Sequence, residues 1–172
     1  MNISHQSSYK ACFDVKYHDK HAVIGYVLFD DVGSGTPYRT GHITHNEVHP
    51  YIPGEFYKRE LPCLLTAFHS IEENIDLIFV DAYVWLGEHK KGLGVYLYEA
   101  LEEKIPVIGI SKTNFHNAGN TTQTVLHGNS ESPLYVSAIG MNLYDAARMV
   151  KNLHGTYRLP TMIKLADTLS RV

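Results

Sequence analysis

The first third of the chain has the hydrophobic and polar pattern of β-strands. Residues 10–17 alternate, residues 22–29 form a longer apolar strand, residues 38–46 form a third, more polar strand, and turn residues separate the three. Residues 50–54 (PYIPG) then interrupt the pattern, because two prolines and a glycine do not continue a hydrogen-bonded ladder. The pattern predicts an antiparallel three-strand meander that ends in a rigid turn.

The remainder of the chain alternates helical and strand periodicity. Apolar residues at positions 61, 64, 65, 68 and 71 have the 3.6-residue spacing of an amphipathic helix over 55–72. A near-continuous apolar run over 76–86 is typical of a buried central strand. Further strands are predicted at 106–111 and 134–137, further helices at 94–104, 143–153 and 160–171, and a long loop at 115–132. Together these elements predict one α/β domain over 1–172, with a mixed sheet flanked by helices.

Composition limits the classes of partner. The 172 residues are 44% hydrophobic, and Lys+Arg 15 against Asp+Glu 18 give a formal net charge of −3. Such a chain can bury a core, but its charge argues against tight, sequence-blind coating of nucleic acid. No apolar run is long enough for a bilayer, and residues 1–9 are too polar for a signal peptide, so we expect a cytoplasmic protein with no membrane partner. Cys12 and Cys63 stand in apolar contexts, and we expect inert, buried thiols.

Three acidic residues stand out because their neighbours are apolar. Asp14 interrupts the first strand, Glu60 falls in the first turns of the long helix, and Asp81 closes the run 77–80. A buried carboxylate needs a partner, and a divalent cation such as Mg²⁺ can serve all three. Structural roles are the alternative: a strand end for Asp14, a turn cap for Asp81, and a favourable interaction of Glu60 with the helix dipole.

The surroundings of these acids resemble the endonuclease V family. Residues 49–62 (HPYIPGEFYKRELP) are similar to the family's P-Y-I-P-G motif with a spaced R-E, and 13–17 (FDVKY) to its D-V-x-Y. Residues 106–112 (PVIGISK) are similar to its P-x-I-G-V-A-K. Residues 77–81 correspond to the family's central strand ending in Asp, residues 135–137 to its Y-V-S, and residues 158–160 to its R-x-P. The resemblance thus runs from about residue 10 to 171.

The resemblance implies a ribonuclease-H-like fold and a magnesium-dependent endonuclease, with Mn²⁺ as a possible substitute. Its substrate would be DNA or RNA that is single-stranded or locally unpaired, and it would cut near hypoxanthine or inosine. Such an enzyme would serve in repair or turnover of nucleic acid, and we expect a monomer. Asp14, Glu60 and Asp81 would be the metal ligands, and Lys112 would lie beside the scissile phosphate. For Lys112 the alternative is a solvated lysine at a strand end.

The same resemblance implies a wedge that enters the nucleic acid. Tyr51, between Pro50 and Pro53, would fill the gap left when the damaged nucleotide leaves the stack. Without the family, this segment would be a tight turn with a half-buried tyrosine. The residues implied in substrate binding are Pro50, Tyr51, Ile52, Pro53, Gly54, Phe56 and Ala82.

The chain departs from the family pattern after Asp81. Ala82 and Val84 stand where the family usually has glycines whose backbone lines the base pocket, and the family's V-S-P-G-H turn reads VSAIGM at 136–141. We expect Val84 and Trp85 to narrow the pocket wall. Three hypotheses follow: an inosine-directed nuclease, a nuclease without base selection, and a non-catalytic nucleic-acid-binding relative.

Overall fold

A mixed sheet forms the centre of the computed structural model, which describes residues 6–172. Seven strands in this part of the chain pair in the order β3-β2-β1-β4-β7-β9-β8, and β5 and β6 form a separate hairpin. The strands are β1 (Ser8–Tyr17), β2 (Ala22–Phe29), β3 (Arg39–His45), β4 (Asn74–Val80), β5 (Trp85–Gly87), β6 (Lys90–Lys91), β7 (Val107–Ser111), β8 (Gln123–Val125) and β9 (Leu134–Ile139).

Helices cover both faces of this sheet. The helices are α1 (Phe56–Ser70), α2 (Leu93–Ala100), α3 (Leu143–Asn152) and α4 (Thr161–Ser170). Buried residues of α1 and α2 belong to one hydrophobic cluster, and those of α3 and α4 belong to the other. The domain is therefore a three-layered α/β/α arrangement with a core on each side of the sheet.

Side chains along β1 alternate between the two faces of the sheet and contribute to both hydrophobic cores. Ala11 and Phe13 are buried in the cluster beneath α1 and α2, whereas Cys12 is buried in the cluster beneath α3 and α4. Successive side chains of a strand point to opposite faces, so a strand covered on both sides is apolar at nearly every position. Strand β2 shows the same property, since all eight of its residues are buried.

The register of the central strands determines where their ends meet. Strands β1, β4 and β7 run parallel, with Phe13 opposite Val80 and Val80 opposite Gly109. Parallel strands present their carboxyl ends at one edge of a sheet. Asp14 and Asp81, each one residue beyond the Phe13–Val80 pair, therefore lie side by side at that edge, close to the end of β7.

Two predicted elements need correction. The strand expected over 76–86 ends at Val80, because the chain bends after Asp81 and then enters the separate β5–β6 hairpin. The loop expected over 115–132 contains a 3-10 helix (His116–Thr121) and strand β8, which pairs with β9 through Val125 and Leu134. Burial of these two side chains offsets the low strand propensity of the surrounding polar residues.

No helix within residues 6–172 is long and apolar enough to cross a membrane. The prediction about a signal peptide concerns residues 1–9, of which 1–5 lie outside the described residues.

Candidate active site

Asp14 and Asp81 line one cleft at the carboxyl edge of the parallel strands. We call it the acid cleft. It is lined by Cys12, Phe13, Asp14, Phe79, Val80, Asp81, Ile110, Lys112, Leu159, Ile163, Ala166 and Asp167. Its walls are thus mostly apolar strand and α4 side chains, with three carboxylates and one lysine among them. Such a setting strengthens electrostatic interactions, because little water screens the charges.

Asp14 is held as a weak acid by this setting. Desolvation in the cleft, together with the negative charge of Asp81, raises the pKa of Asp14 to about 7. The Ser170 hydroxyl donates a 3.1 Å hydrogen bond to Asp14 Oδ2 and opposes part of this rise. Near neutral pH, Asp14 therefore exchanges readily between the protonated and ionised forms.

Glu60 projects from α1 into the interior behind the two aspartates. Its side chain is 8% exposed, and among the described residues Oε2 finds no hydrogen-bond partner. Burial raises the pKa of Glu60 to about 8, and the charges of Asp14 and Asp81 add to the rise. The neighbouring Arg59, whose guanidinium lies 3.8 Å from the centre of the Tyr17 ring, counteracts it. An unpaired buried carboxylate of this kind favours a cation as its partner.

Asp167 is a fourth acid that sequence reasoning missed. It lies on α4, follows the buried Ala166, and lines the acid cleft. Partial burial opposes its ionisation, but hydrogen bonds from Arg171 (3.1 Å) and Lys164 (3.2 Å) outweigh this and lower the pKa of Asp167. The sequence signal was weak, because an acid on the surface of an amphipathic helix is usually solvated.

Lys112 comes directly after β7 and is the cation of the acid cleft. Desolvation raises the pKa of Asp81, and the positive charge of Lys112 draws it back down. The backbone of Lys112 is anchored from outside, since Arg158 Nη2 donates 2.7 Å hydrogen bonds to the carbonyl oxygens of Lys112 and Pro133. The position of Lys112 thus depends on the segment that precedes α4.

The oxygen donors of the acid cleft fit a hard divalent cation in their chemistry. Mg²⁺ is commonly held by one or two carboxylates, with waters and substrate oxygens completing its shell. Across the part of the chain that the structure describes, no three His, Cys, Asp or Glu side chains are grouped as a ready-made ligand set. Glu60 Oε2 has no hydrogen-bond partner among the described residues, and nearby negative charge raises the pKa values of both Glu60 and Asp14; a cation would supply the missing counter-charge.

The predicted wedge is an exposed turn beside α1. Pro53 and Gly54 occupy its two central positions, Glu55 N–H donates to the Ile52 carbonyl at 2.9 Å, and Gly54 has a φ of 82°. A Pro-Gly pair with a positive φ at the second position is typical of a type II turn. Tyr51 is 61% exposed next to it, so its ring is available for contact with a partner.

A second cleft lies between this turn and the β5–β6 hairpin. We call it the aromatic cleft. It is lined by Gly54, Phe56, Tyr57, Asp81, Ala82, Tyr83, Leu86, His89, Lys90, Lys91, Gly92, Leu93 and Tyr96. The rings of Tyr57 and Tyr96 stack at 3.8 Å. Of the residues predicted to bind substrate, Gly54, Phe56 and Ala82 line this cleft, while Tyr51 and its neighbours stand outside it.

Val84 does not narrow the aromatic cleft as expected from the sequence. It is completely buried, its side chain contacts the Gly94 position in α2, and its N–H donates to Ser137 Oγ at 2.9 Å. Tyr83 lines the cleft instead, and its hydroxyl is fixed by accepting from Phe115 N–H at 2.9 Å. The chain bends after Asp81, so the alternation assumed for a continuous strand does not hold there.

Comparison with known proteins identifies relatives of the chain. The family model for endonuclease V matches residues 2–135. Endonuclease V of Rhodospirillum centenum is 33% identical over 132 residues, which cover 64% of this chain and 54% of the relative. Endonuclease V of Sulfolobus acidocaldarius is 30% identical over 158 residues, which cover 86% of this chain and 75% of the relative. The chain thus spans about half the length of the first of these proteins.

Solved structures show the same fold. Human endonuclease V has a TM-score of 0.75 at 19% identity, covering 95% of this chain and 83% of that one. Endonuclease V of Ciona intestinalis, in complex with a 24mer DNA containing an inosine followed by a ribo-adenosine, has a TM-score of 0.76 at 19% identity, covering 95% and 84%. The predicted ribonuclease-H-like mixed sheet flanked by helices is confirmed.

Proposed function

The chain belongs to the endonuclease V family, and from this premise we propose that it is a metal-dependent endonuclease. It hydrolyses a phosphodiester bond near a deaminated base, hypoxanthine in DNA or inosine in RNA. The observation that carries this proposal is the acid cleft, where Asp14, Asp81 and Lys112 meet at one sheet edge with Glu60 behind them. The three lining residues come from distant parts of the chain, and Glu60 lies near enough for the charges of Asp14 and Asp81 to act on it.

Asp14, Glu60 and Asp81 would hold Mg²⁺, with Mn²⁺ as a substitute. Bound there, the cation would activate water and offset negative charge on the leaving oxygen. The pKa values of Glu60 (about 8) and Asp14 (about 7) favour retention of protons on these two groups near neutral pH, and a bound cation would displace those protons. Asp167, kept ionised by Arg171 and Lys164, adds a fixed negative charge beside Asp14.

Lys112 supplies the positive charge that faces the substrate phosphate. Its side chain is exposed at the mouth of the cleft, while its backbone is held by Arg158. A positioned cation stabilises charge that develops on phosphate oxygens during hydrolysis. Apolar side chains, among them Leu159 and Ile163, line the cleft beside it.

The exposed turn and the aromatic cleft would handle the damaged base. Tyr51 presents a ring that can replace an extruded base in the stack, and the aromatic cleft shares Asp81 with the acid cleft. The inosine-containing DNA in the Ciona intestinalis complex supports a deaminated base as the target. Because Val84 is buried in the core, the cleft stays open, which favours base selection over unselective cutting.

Cleavage of matched oligonucleotides tests this function. Single-stranded DNA and RNA, each with one inosine or with adenosine in its place, are incubated with the protein and Mg²⁺ or Mn²⁺. We expect a single cut near inosine only, and loss of at least about a hundredfold in rate for Asp81→Asn. Asp76→Asn is the matched control, because Asp76 lies on the same strand but pairs with Lys10 and Ser8 away from the cleft.

The three hypotheses from the sequence give different outcomes. Equal cutting of inosine and adenosine strands would indicate a nuclease without base selection. Salt-sensitive binding without turnover would indicate a non-catalytic nucleic-acid-binding relative. Wild-type protein and Asp81→Asn that are indistinguishable on every substrate would overturn the proposal.

A further inference from the structure

A third concave surface lies next to the acid cleft. We call it the tyrosine groove. It is formed by the segment before α4 and by one face of α4, including Gly155, Tyr157, Arg158, Leu159, Lys164 and Leu165. Its surface is mainly apolar, with cationic side chains at its margin. Tyr157 is 81% exposed, the highest value among the large hydrophobic residues of the described chain that stand out as exposed.

The three concave surfaces form a row. Asp81 lines both the aromatic cleft and the acid cleft, and Leu159 lines both the acid cleft and the tyrosine groove. Lys164, which lines the groove, donates a 3.2 Å hydrogen bond to Asp167, which lines the acid cleft. This hydrogen bond is a second connection between the two surfaces. The acid cleft therefore adjoins both aromatic surfaces, which share no lining residue with each other.

The chemistry of the groove matches one nucleotide of a single strand. An exposed aromatic ring stacks on a nucleobase whatever its identity, and Leu159 and Leu165 offer apolar contact. Lys164 is exposed at the margin of the groove and supplies positive charge for a neighbouring phosphate. A protein segment would not require cations placed next to the site proposed to bind a phosphodiester.

We propose that the tyrosine groove binds an unstacked nucleotide of the substrate strand, on the side of the scissile phosphate opposite to the damaged base, with the base on Tyr157. This inference rests on the proposed function and adds one requirement to it: the substrate strand must be unpaired beyond the cut. The row of surfaces then holds three successive parts of the strand: the damaged base, the scissile phosphate, and the base beyond it.

The test is binding of fluorescent single-stranded DNA to the inactive Asp81→Asn protein, followed by anisotropy. The full-length probe is an inosine-containing strand of roughly 13 nucleotides, within the usual site size of single-strand-binding proteins. Two further series of probes are shortened, one from the 5′ end and one from the 3′ end. Adding Tyr157→Ala is expected to weaken binding of the full probe about five- to a hundredfold, the value of stacking one base. Tyr157→Phe keeps the ring and is expected to bind within about twofold of the parent.

Tyr144→Ala is the matched control, because Tyr144 is 66% exposed on α3 and does not line the groove. The effect of Tyr157→Ala is expected to disappear for probes shortened from one end only. That end-specific loss distinguishes a bound nucleotide from general damage to the fold, which circular dichroism checks independently.

Other results would overturn the inference. Equal binding by the parent and Tyr157→Ala, while wild-type protein still cuts at inosine, rejects the groove and leaves the proposed function in place. A dimer in sedimentation that Tyr157→Ala converts to a monomer would assign the groove to a second copy of the chain. Absence of both cutting by wild type and binding by the parent rejects the groove together with the function.

Discussion

The guanidinium of Arg158 donates a 2.7 Å hydrogen bond to the carbonyl oxygen of Lys112, across 46 residues of sequence. The same nitrogen donates to the Pro133 carbonyl, also at 2.7 Å. One side chain thus links the end of β7, the approach to β9 and the segment before α4. This contact makes the position of Lys112 depend on the C-terminal part of the chain.

Replacing Arg158 by Met is expected to lower kcat about tenfold and leave KM for long substrates less affected. Each hydrogen bond from a charged donor contributes about 1.5–3 kcal/mol, and their loss frees the backbone at Lys112. Steady-state kinetics separates the two parameters, and added guanidinium should restore part of the rate. Arg148→Met is the control, since Arg148 is 70% exposed and pairs with Asp145 on the surface of α3. Unchanged kcat in Arg158→Met would refute the link.

Replacing Gly25 by Ala is expected to displace α4 and with it Asp167. A Cβ at this position of β2 would overlap the Ala166 carbonyl oxygen and would lie 2.7 Å from Ser170 N, both in the α4 backbone. Overpacking of this kind costs about 1–3 kcal/mol, which urea unfolding measures. Gly33→Ala is the control, because no atom lies within 4 Å of its Cβ, and we expect less than about 0.5 kcal/mol. Equal stability of the two variants would contradict the close approach.

The metal-free protein is expected to lose stability as pH rises from about 5 to 8. The pKa values of Asp14, about 7, and Glu60, about 8, are raised above their ordinary values, so the folded state keeps protons that the unfolded state releases. Stability from these groups is full below about pH 4, falls by up to about 1.4 kcal/mol per pH unit for each group, and levels off above their folded pKa values. Urea unfolding in EDTA at successive pH values measures the fall.

Glu60→Gln should flatten this pH dependence, because the neutral amide has no proton to retain. Mn²⁺ should reverse the fall in wild-type protein at pH 8, since bound cation favours the ionised carboxylates. A stability that is the same at pH 5 and pH 8 in EDTA would show that the carboxylates are not destabilised by their burial.

Replacing Tyr51 by Ala is expected to weaken binding of inosine-containing single-stranded DNA about five- to a hundredfold. Stacking on one base contributes about 1–3 kcal/mol, and the exposed ring beside Pro53-Gly54 is positioned to provide it. Tyr51→Phe keeps the aromatic face and should bind like wild type. Anisotropy titration measures both, and identical affinities for the Ala and Phe variants would exclude stacking by this residue.

Local sequence patterns predicted most elements of this fold. The apolar run over 22–29 and the 3.6-residue spacing after Glu55 match β2 and α1, because each pattern reports the environment of consecutive residues. The Pro53-Gly54 pair predicted a rigid turn, since both residues restrict the backbone in known ways. The strand drawn through Asp81 to Leu86 was wrong, because an apolar run does not reveal where a chain bends.

The acids of the site illustrate both sides of this limit. Asp14, Glu60 and Asp81 are predicted as a site from the sequence, because a carboxylate among apolar neighbours is costly and stands out. That Asp14 and Asp81 lie side by side depends on the parallel pairing of β1 with β4, which no local pattern encodes.

Only the tertiary structure determines that Asp167 lies in the acid cleft and that the tyrosine groove exists. Asp167 has the surroundings of an ordinary helix-surface acid, and only the packing of α4 on β2 at Gly25 brings it to Asp14. Val84 was misjudged for the same reason, since its burial follows from contacts with Gly94 and Ser137 far along the chain. Periodicity and composition act between neighbours in sequence, whereas strand order and helix docking depend on burial between segments that are distant in it.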